Sequence, residues 1–187
     1  AEGLVGQELL KILEERQFPA SSVRLYDTDR RPGGEYFFRH QRLEVEEAAP
    51  DGFRNVDVAF FCDGLDTSRR LLPAALQAGA IVVDDSGAAV AEGLAPLVVP
   101  EVNAEEIAQH KGVVGNPGSS TIQLLVALYP LHVVNPIRRI VVSTYQPVSC
   151  SGTAAALKEL AAQAKRVLEG RRVSPPMSSH QKALNVL

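Results

Sequence analysis

The sequence predicts an α/β protein with a parallel sheet, because segments with helical spacing of apolar residues alternate with short apolar strands. Residues 56–62 and 80–83 are nearly continuous apolar runs, which fit strands covered on both faces. Residues 4–16 and 67–78 repeat apolar side chains at helical spacing, and Gly79 stands where a helix C-cap glycine belongs. This alternation is typical of a doubly wound fold.

The other segments divide the chain into two predicted domains. Further strands are predicted at 22–26, 42–47, 111–115 and 137–145, and further helices at 119–131 and 152–169. The Asn-Pro-Gly sequence at 116–118 is the best candidate boundary, because the elements before it are short and those after it are longer. We therefore predict one domain over 1–118 and the start of a truncated α+β domain over 119–187.

Composition and charge exclude several classes of function. The 187 residues are 45% hydrophobic and 22% charged, which favours a packed core over disorder. The formal charge is −3, from 19 basic and 22 acidic residues, so we expect neither nucleic acid nor an anionic membrane surface as a partner. No apolar run approaches the roughly 18 residues of a membrane span, and we identify no signal peptide.

The two cysteines indicate neither a metal site nor a disulfide framework. Cys62 and Cys150 are far apart, and neither has a Cys or His at zinc spacing. Two isolated thiols suit a reducing compartment. We therefore expect a cytoplasmic protein without a bound metal.

Two glycines at the start of the first predicted helix indicate a dinucleotide site. Gly3 and Gly6, with Leu4 and Val5 between them, look like the last two glycines of the fingerprint in which backbone approaches a pyrophosphate at a helix N-terminus. Tight packing of a helix on a sheet explains the spacing about equally well. The fingerprint also needs a preceding strand, and Glu2 would repel a pyrophosphate. We predict a Rossmann-type dinucleotide-binding domain whose first strand is missing from the numbered sequence.

The loop after the strand at 22–26 bears on the identity of the cofactor. Its residues Thr28, Arg30 and Arg31 suit the 2′-phosphate of NADP. An acidic residue would instead suit the ribose of NAD, and Asp27 lies in the same loop. A solvated charged turn is an equally good interpretation. The predicted cofactor is NADP.

Five segments of the chain together point to one protein family. They are Gly-Leu-Val-Gly-Gln-Glu-Leu-Leu at 3–10, Pro-Leu-Val-Val-Pro-Glu-Val-Asn at 96–103, Asn-Pro-Gly-Ser-Ser-Thr-Ile-Gln at 116–123, Val-Ser-Thr-Tyr-Gln at 142–146, and His180-Gln181 with Asn185-Val186. In order and spacing they resemble the aspartate-semialdehyde dehydrogenase family across essentially the whole chain. The resemblance implies NADP-dependent conversion of L-aspartyl-4-phosphate to L-aspartate-4-semialdehyde, a step of lysine, threonine and methionine biosynthesis. It also implies a homodimer whose second domain carries catalysis and dimerisation.

The resemblance implies roles for individual residues. In the family, a cysteine thiolate at a helix N-terminus attacks the acyl carbon, phosphate leaves, and hydride reduces the thioester. The nucleophile position falls on Ser119, whose hydroxyl would need an adjacent base and which is otherwise a plain helix N-cap. Gln146 matches the glutamine that orients the acyl intermediate. Further implied contacts are to substrate or phosphate from Asn116, Ser149 and Gly152, and to the cofactor from Gly64.

The sequence departs from the family near these positions. Asp63 stands where the family has a small alanine, and Val90 stands where it has a phosphate-binding arginine. Cys150 is not at the nucleophile position. His180 belongs to the segment ahead of the family's catalytic histidine and is not that base.

Three functional hypotheses stay open. The first is an NADP-dependent aspartate-semialdehyde dehydrogenase, present as an incomplete chain and favoured by Gln146. The second is a catalytically inactive paralogue that keeps the fold and the dimer surface, favoured by the changes at Glu2, Asp63, Val90 and Ser119. The third is a reductase of N-acetyl-glutamyl phosphate, because those related enzymes also carry Asn-Pro-Gly before their nucleophile.

Overall fold

The computed structural model describes residues 3–28, 35–146, 154–173 and 183, in which helices alternate with short strands. The helices are α1 (Leu4–Glu15), α2 (Leu65–Gln77), α3 (Ala88–Ala91), α4 (Pro100–Asn103), α5 (Ser119–Val134) and α6 (Ala154–Leu168). The strands are β1 (Leu25–Asp27), β2 (Tyr36–Phe38), β3 (Gln41–Leu43), β4 (Val45–Glu47), β5 (Val58–Phe61), β6 (Ile81–Asp84) and β7 (Val113–Gly115). Two 3₁₀ helices cover Pro50–Phe53 and Ala104–Gln109. The predicted α/β class is confirmed.

The main sheet consists of three parallel strands in the order β5, β6, β7. Ala59 pairs with Val82, and Val82 pairs with Val113 on its other side. Helix α2 packs against this sheet through Leu72 and Ala75, which are almost completely buried with the strand side chains. Because the strand side chains in this cluster are apolar, burial of their surface drives the packing.

Two small strand pairs lie outside the main sheet. Strands β1 and β4 are parallel, and β2 and β3 form an antiparallel hairpin. Arg39 and His40, at the tip of the hairpin, have φ of +48° and +65°, as a two-residue hairpin turn with a right-handed twist requires. Leu10 of α1 is buried with Leu25 and Phe38, so α1 holds these pairs together.

Three predicted elements differ from the structure. The predicted strand at 137–145 has no strand partner among the described residues, and a strand without a neighbour leaves its backbone groups unsatisfied. The predicted strand at 42–47 is divided at Glu44, because β3 and β4 pair with different neighbours. Helix α5 continues past the predicted end to Val134, with Pro130 inside it.

The predicted domain boundary falls one residue before α5 and stays a prediction. Within the described parts of the chain, no helix combines the length and apolar character needed to cross a lipid bilayer.

Candidate functional site

Polar groups collect where β6 and β7 end. Asn116 follows β7, and its backbone N–H donates to the Asp84 carbonyl at 2.8 Å. Its side-chain Nδ2 donates to Oδ1 of Asp85 at 2.7 Å. The carboxyl ends of parallel strands lie at the same edge of a sheet, which is where open α/β sheets bind ligands. Asn116 is therefore held at this edge of the sheet.

The buried carboxylate of Asp84 organises the loop after β6. Its Oδ1 accepts hydrogen bonds from the Ser86 backbone N–H at 3.0 Å and the Ser86 hydroxyl at 2.6 Å. Its Oδ2 accepts from the backbone N–H of Ala89 at 2.8 Å. Gly87, between them, has φ of +78°, a conformation that glycine adopts without strain. The hydrogen bonds to Asp84 thus hold the loop that leads into α3.

Ser119 is the first residue of α5 and is exposed. The N-cap is Gly118, whose carbonyl accepts from Thr121 N–H at 2.8 Å and Ile122 N–H at 3.1 Å. The interpretation of Ser119 as the N-cap is therefore wrong by one residue. Among the described residues, no side chain hydrogen-bonds to the Ser119 hydroxyl, so the adjacent base that a serine nucleophile needs is not found there.

Gln146 reaches the first turn of α5. Its Nε2 donates to Oγ of Ser120 at 2.6 Å, across 26 positions of sequence. The structure therefore brings Gln146 beside the predicted nucleophile position, with its hydrogen bond to the neighbouring hydroxyl. The sequence analysis did not single out Ser120, since a Ser-Ser pair at a helix start carries no signal that separates the two.

The Asp63 carboxylate links the residues that follow β1 and β5. Thr28 donates through Oγ1 to Oδ2 of Asp63 at 3.3 Å, and Oδ1 of Asp63 accepts from the backbone N–H of Gly64 at 2.8 Å. Gly64 is the N-cap of α2. Asp63, one of the positions at which the sequence departs from the family, thus brings together two predicted cofactor residues, Thr28 and Gly64.

The opening loop forms a helix N-terminus that suits an anion. Gly3 is the N-cap of α1 with extended φ and ψ of −68° and 155°, and no side chain caps the helix. Leu4 and Val5 in the first turn are 58% and 44% exposed, and the N–H groups of a helix's first turn have no acceptor within the helix. A helix N-terminus can bind an anion such as a phosphate group. At the N-terminus of α2, by contrast, the Asp63 carboxylate already accepts the Gly64 amide hydrogen.

Several predicted site residues cannot be placed. Arg30, Arg31, Ser149 and Gly152 lie outside the described residues, as do Glu2, Cys150 and His180. Their roles stay predictions. Within the described parts of the chain, no three His, Cys, Asp or Glu side chains are grouped closely enough to hold a metal ion.

Cys62, at the end of β5, is a weak nucleophile. Burial, with a smaller contribution from the Asp85 carboxylate, raises the pKa of its thiol from 9.0 to about 11. Both effects disfavour the thiolate. Cys62 is therefore not a substitute for the missing cysteine at position 119.

A cavity of about 440 Å³ separates the β1–β4 pair from β5. We call it the interstrand cavity. Its lining comes from α1, β1, β5 and α2, and includes Gly6, Leu9, Leu13, Cys62, Ser68 and Leu71. Ser68 is 1% exposed, and its Oγ has no hydrogen-bond partner. Sequence reasoning did not detect Ser68, because a serine within an amphipathic helix normally lies on its polar face.

Comparisons with known proteins give a consistent result. Residues 1–110 match the family described as "Semialdehyde dehydrogenase, NAD binding domain". The chain is 40% identical over 175 residues to aspartate-semialdehyde dehydrogenase of Bacillus subtilis (strain 168), covering 94% of this chain and 50% of that protein. It is 41% identical over 184 residues to the enzyme of that name from Prochlorococcus marinus, covering 98% of this chain and 53% of that protein.

A solved structure agrees with these sequence matches. Aspartate semialdehyde dehydrogenase II of Vibrio cholerae, complexed with ASA, superposes with a TM-score of 0.85 and 37% identity. The alignment covers 99% of this chain and 55% of that one. The chain thus spans about half the length of the relatives it matches.

Proposed function

Because the chain belongs to the semialdehyde dehydrogenase family, we propose that it is part of an NADP-dependent aspartate-semialdehyde dehydrogenase. The reaction is the reductive dephosphorylation of L-aspartyl-4-phosphate to L-aspartate-4-semialdehyde, in the biosynthesis of lysine, threonine and methionine. The observation that carries the proposal is the 2.6 Å hydrogen bond that brings Gln146 to the N-terminal turn of α5, beside Ser119. Sequence identity to enzymes of that name supports the substrate.

The residues around this turn suit an acyl phosphate. Asn116 is fixed at the sheet edge by hydrogen bonds to Asp84 and Asp85. The α5 N-terminus adds a partial positive charge, which stabilises a leaving phosphate or an oxyanion. Gln146 would orient the acyl group over position 119, with Ser149 and Gly152 completing the contacts to substrate.

Gly3, Leu4, Val5 and Gly6 would hold the cofactor pyrophosphate at the start of α1. Thr28, Arg30, Arg31 and Gly64 would contact the ribose and the 2′-phosphate. When bound, NADPH supplies the hydride that reduces the acyl group. The protein's own part is to place that cofactor beside the edge where Asn116 and position 119 lie.

Nucleophilic attack at position 119 is tested with the complete gene product. NADP reduction is followed with aspartate semialdehyde and phosphate for the parent, Ser119→Cys and Ser120→Cys. We expect Ser119→Cys to turn over faster than the parent, because a thiol at a helix N-terminus ionises far more readily than a hydroxyl. Ser120→Cys is the matched control and should gain nothing. Equal gains from both variants would contradict the assignment of position 119.

Cofactor preference is tested separately, by binding. Arg30→Ala and Arg31→Ala should weaken NADPH binding and leave NADH binding nearly unchanged, because only NADPH carries the 2′-phosphate. Arg42→Ala is the control, since its side chain is exposed and its ion pair with Glu35 is on the hairpin. If the Arg30→Ala and Arg31→Ala variants both still bind NADPH tightly, another group recognises the 2′-phosphate.

An inactive paralogue is the second candidate, and one contact favours it. Val90, which replaces the phosphate-binding arginine of the family, packs against Gly115, where an added Cβ would overlap Val90 Cγ2. The position has thus become part of the packing at the end of β7. This hypothesis predicts that Ser119→Cys stays inactive in the complete protein even when NADP binds.

A homodimer is part of the proposal. Helix α5 has no buried residue, and its last turn exposes Leu131, Val133 and Val134 by 61%, 65% and 85%. A mostly apolar helix surface of this kind needs a covering partner. The rest of the second domain and a second subunit would cover it, and the mass of the complete protein in solution tests the dimer.

A further inference from the structure

Ser119 and Ser120 stand side by side at the start of α5 but have different surroundings. Consecutive residues of an α-helix are rotated by about 100°, since one turn takes about 3.6 residues. The two side chains therefore leave the helix in different directions. Ser119 is exposed, whereas Ser120 is half-buried. The two hydroxyls can thus serve different purposes within the same turn.

The Ser120 hydroxyl contacts a residue that is distant in sequence. A serine near a helix start commonly bonds to a backbone N–H of its own first turn. Within the described parts of the chain, the one hydrogen bond of the Ser120 side chain is with Gln146, whose Nε2 donates to Oγ at 2.6 Å. The hydroxyl therefore supports Gln146 rather than the helix to which it belongs.

This bond decides how the amide of Gln146 is turned. The backbone alone does not orient the amide, because three side-chain torsions separate it from Cα. Gln146 is exposed, and its side chain has no second hydrogen-bond partner among the described residues. An amide NH₂ group has two N–H donors. One N–H of Nε2 is thus held at Ser120, and the other can donate to an acyl oxygen.

A donor that is oriented in advance is useful to acyl transfer. Attack on an acyl carbon places negative charge on its oxygen in the transition state, and fixed donors stabilise that charge without having to reorganise. Position 119, to which the attack is assigned, adjoins Ser120 in the first turn of α5. Fixing a flexible glutamine before substrate arrives also removes the entropic cost of ordering it during the reaction.

We propose that Ser120 is a positioning residue, whose hydroxyl holds the Gln146 amide so that its second N–H faces an acyl oxygen bound at position 119. This inference rests on the proposed function, because it takes acyl transfer to occur at that position. Ser120 acts through Gln146 and takes no part in bond making or breaking. Alanine at position 120 therefore leaves the reacting groups in place but releases the amide.

The test uses the complete gene product carrying Ser119→Cys, so that position 119 holds a thiol. Two reagents are compared, and mass spectrometry of the peptide containing this position separates its modification from that of Cys62 and Cys150. With p-nitrophenyl acetate, sulfur bonds to the acyl carbon and p-nitrophenolate leaves. Acrylonitrile alkylates the same thiol by addition and has no acyl oxygen, so it reports only the reactivity of the thiol and the integrity of the fold.

We expect Ser120→Ala to slow acylation about three- to tenfold, as loss of one hydrogen bond does, and to change alkylation less than about twofold. In a Gln146→Ala background, Ser120→Ala should slow acylation no further, because the bond is already broken. Ser120→Thr keeps the hydroxyl and should retain acylation. Thr121→Val is the matched control: it removes another hydroxyl from the first turn of α5 and should leave both rates unchanged.

Acylation that Ser120→Ala leaves unchanged, or that falls together with alkylation, would overturn the proposal. So would the absence of any acylation at position 119, because Gln146 would then have no acyl group to orient. NADP reduction with aspartate semialdehyde and phosphate is measured on the same variants. Ser120-dependent acylation without turnover counts against the proposed function alone. Turnover that Ser120→Ala does not change counts against the role of Ser120 alone.

Discussion

Replacing Asp84 with alanine is expected to lower the free energy of unfolding substantially. Asp84 is 1% exposed, and its two oxygens accept from Ser86 N–H, Ser86 Oγ and Ala89 N–H at 3.0, 2.6 and 2.8 Å. Alanine removes every acceptor and leaves the N–H of the fully buried Ala89 without a partner, which costs about 1–3 kcal/mol. Losing a charge-assisted bond to Ser86 adds about 1.5–3 kcal/mol. We expect a total loss of about 3–5 kcal/mol.

Urea unfolding followed by far-ultraviolet circular dichroism measures this loss. Asp84→Asn keeps one acceptor oxygen and should fall between the parent and Asp84→Ala. Asp85→Ala is the matched control, because Asp85 is exposed and loses only its bond to Asn116, for an expected loss below about 1 kcal/mol. If the Asp84→Ala and Asp85→Ala variants unfold with the same free energy, the buried carboxylate does not hold the loop after β6, and the reasoning is refuted.

Three further predictions concern the cavity and the sheet edge. Ser68→Ala should raise the free energy of unfolding by about 1 kcal/mol in urea, because it removes an unpaired buried hydroxyl and improves helix propensity; a lower stability would mean that the hydroxyl has a partner. At pH 7 the Cys62 thiol, measured in a Cys150→Ser background, should be labelled about a hundredfold more slowly in the folded chain than in urea, because its pKa is raised from 9.0 to about 11. The folded rate should rise as the pH approaches 11, and a rate equal to that of the unfolded chain at pH 7 would contradict this. Gly115→Ala should cost about 1–3 kcal/mol through overlap with Val90, and a double-mutant cycle with Val90→Ala should recover about 1 kcal/mol or more.

The parts of the fold that depend on local pattern could be predicted from the sequence. The runs at 56–62 and 80–83 become β5 and β6, because two-sided burial requires continuous apolar residues. The strand predicted at 137–145 shows the limit of this reasoning. Its β-branched residues favour extended backbone, but a strand also needs a neighbour, and sequence pattern does not reveal whether one is present.

The candidate site likewise has parts that local sequence pattern predicts and parts that depend on tertiary contacts. Asn116 and Ser119 could be placed at a strand end and a helix start, since Asn-Pro-Gly marks that turn. The hydrogen bond from Gln146 to Ser120 and the link from Thr28 through Asp63 to Gly64 depend on tertiary contacts across 26 and 35 positions. Period and composition carry no information about such contacts, so sequence reasoning named Gln146 by resemblance alone and did not find Ser120.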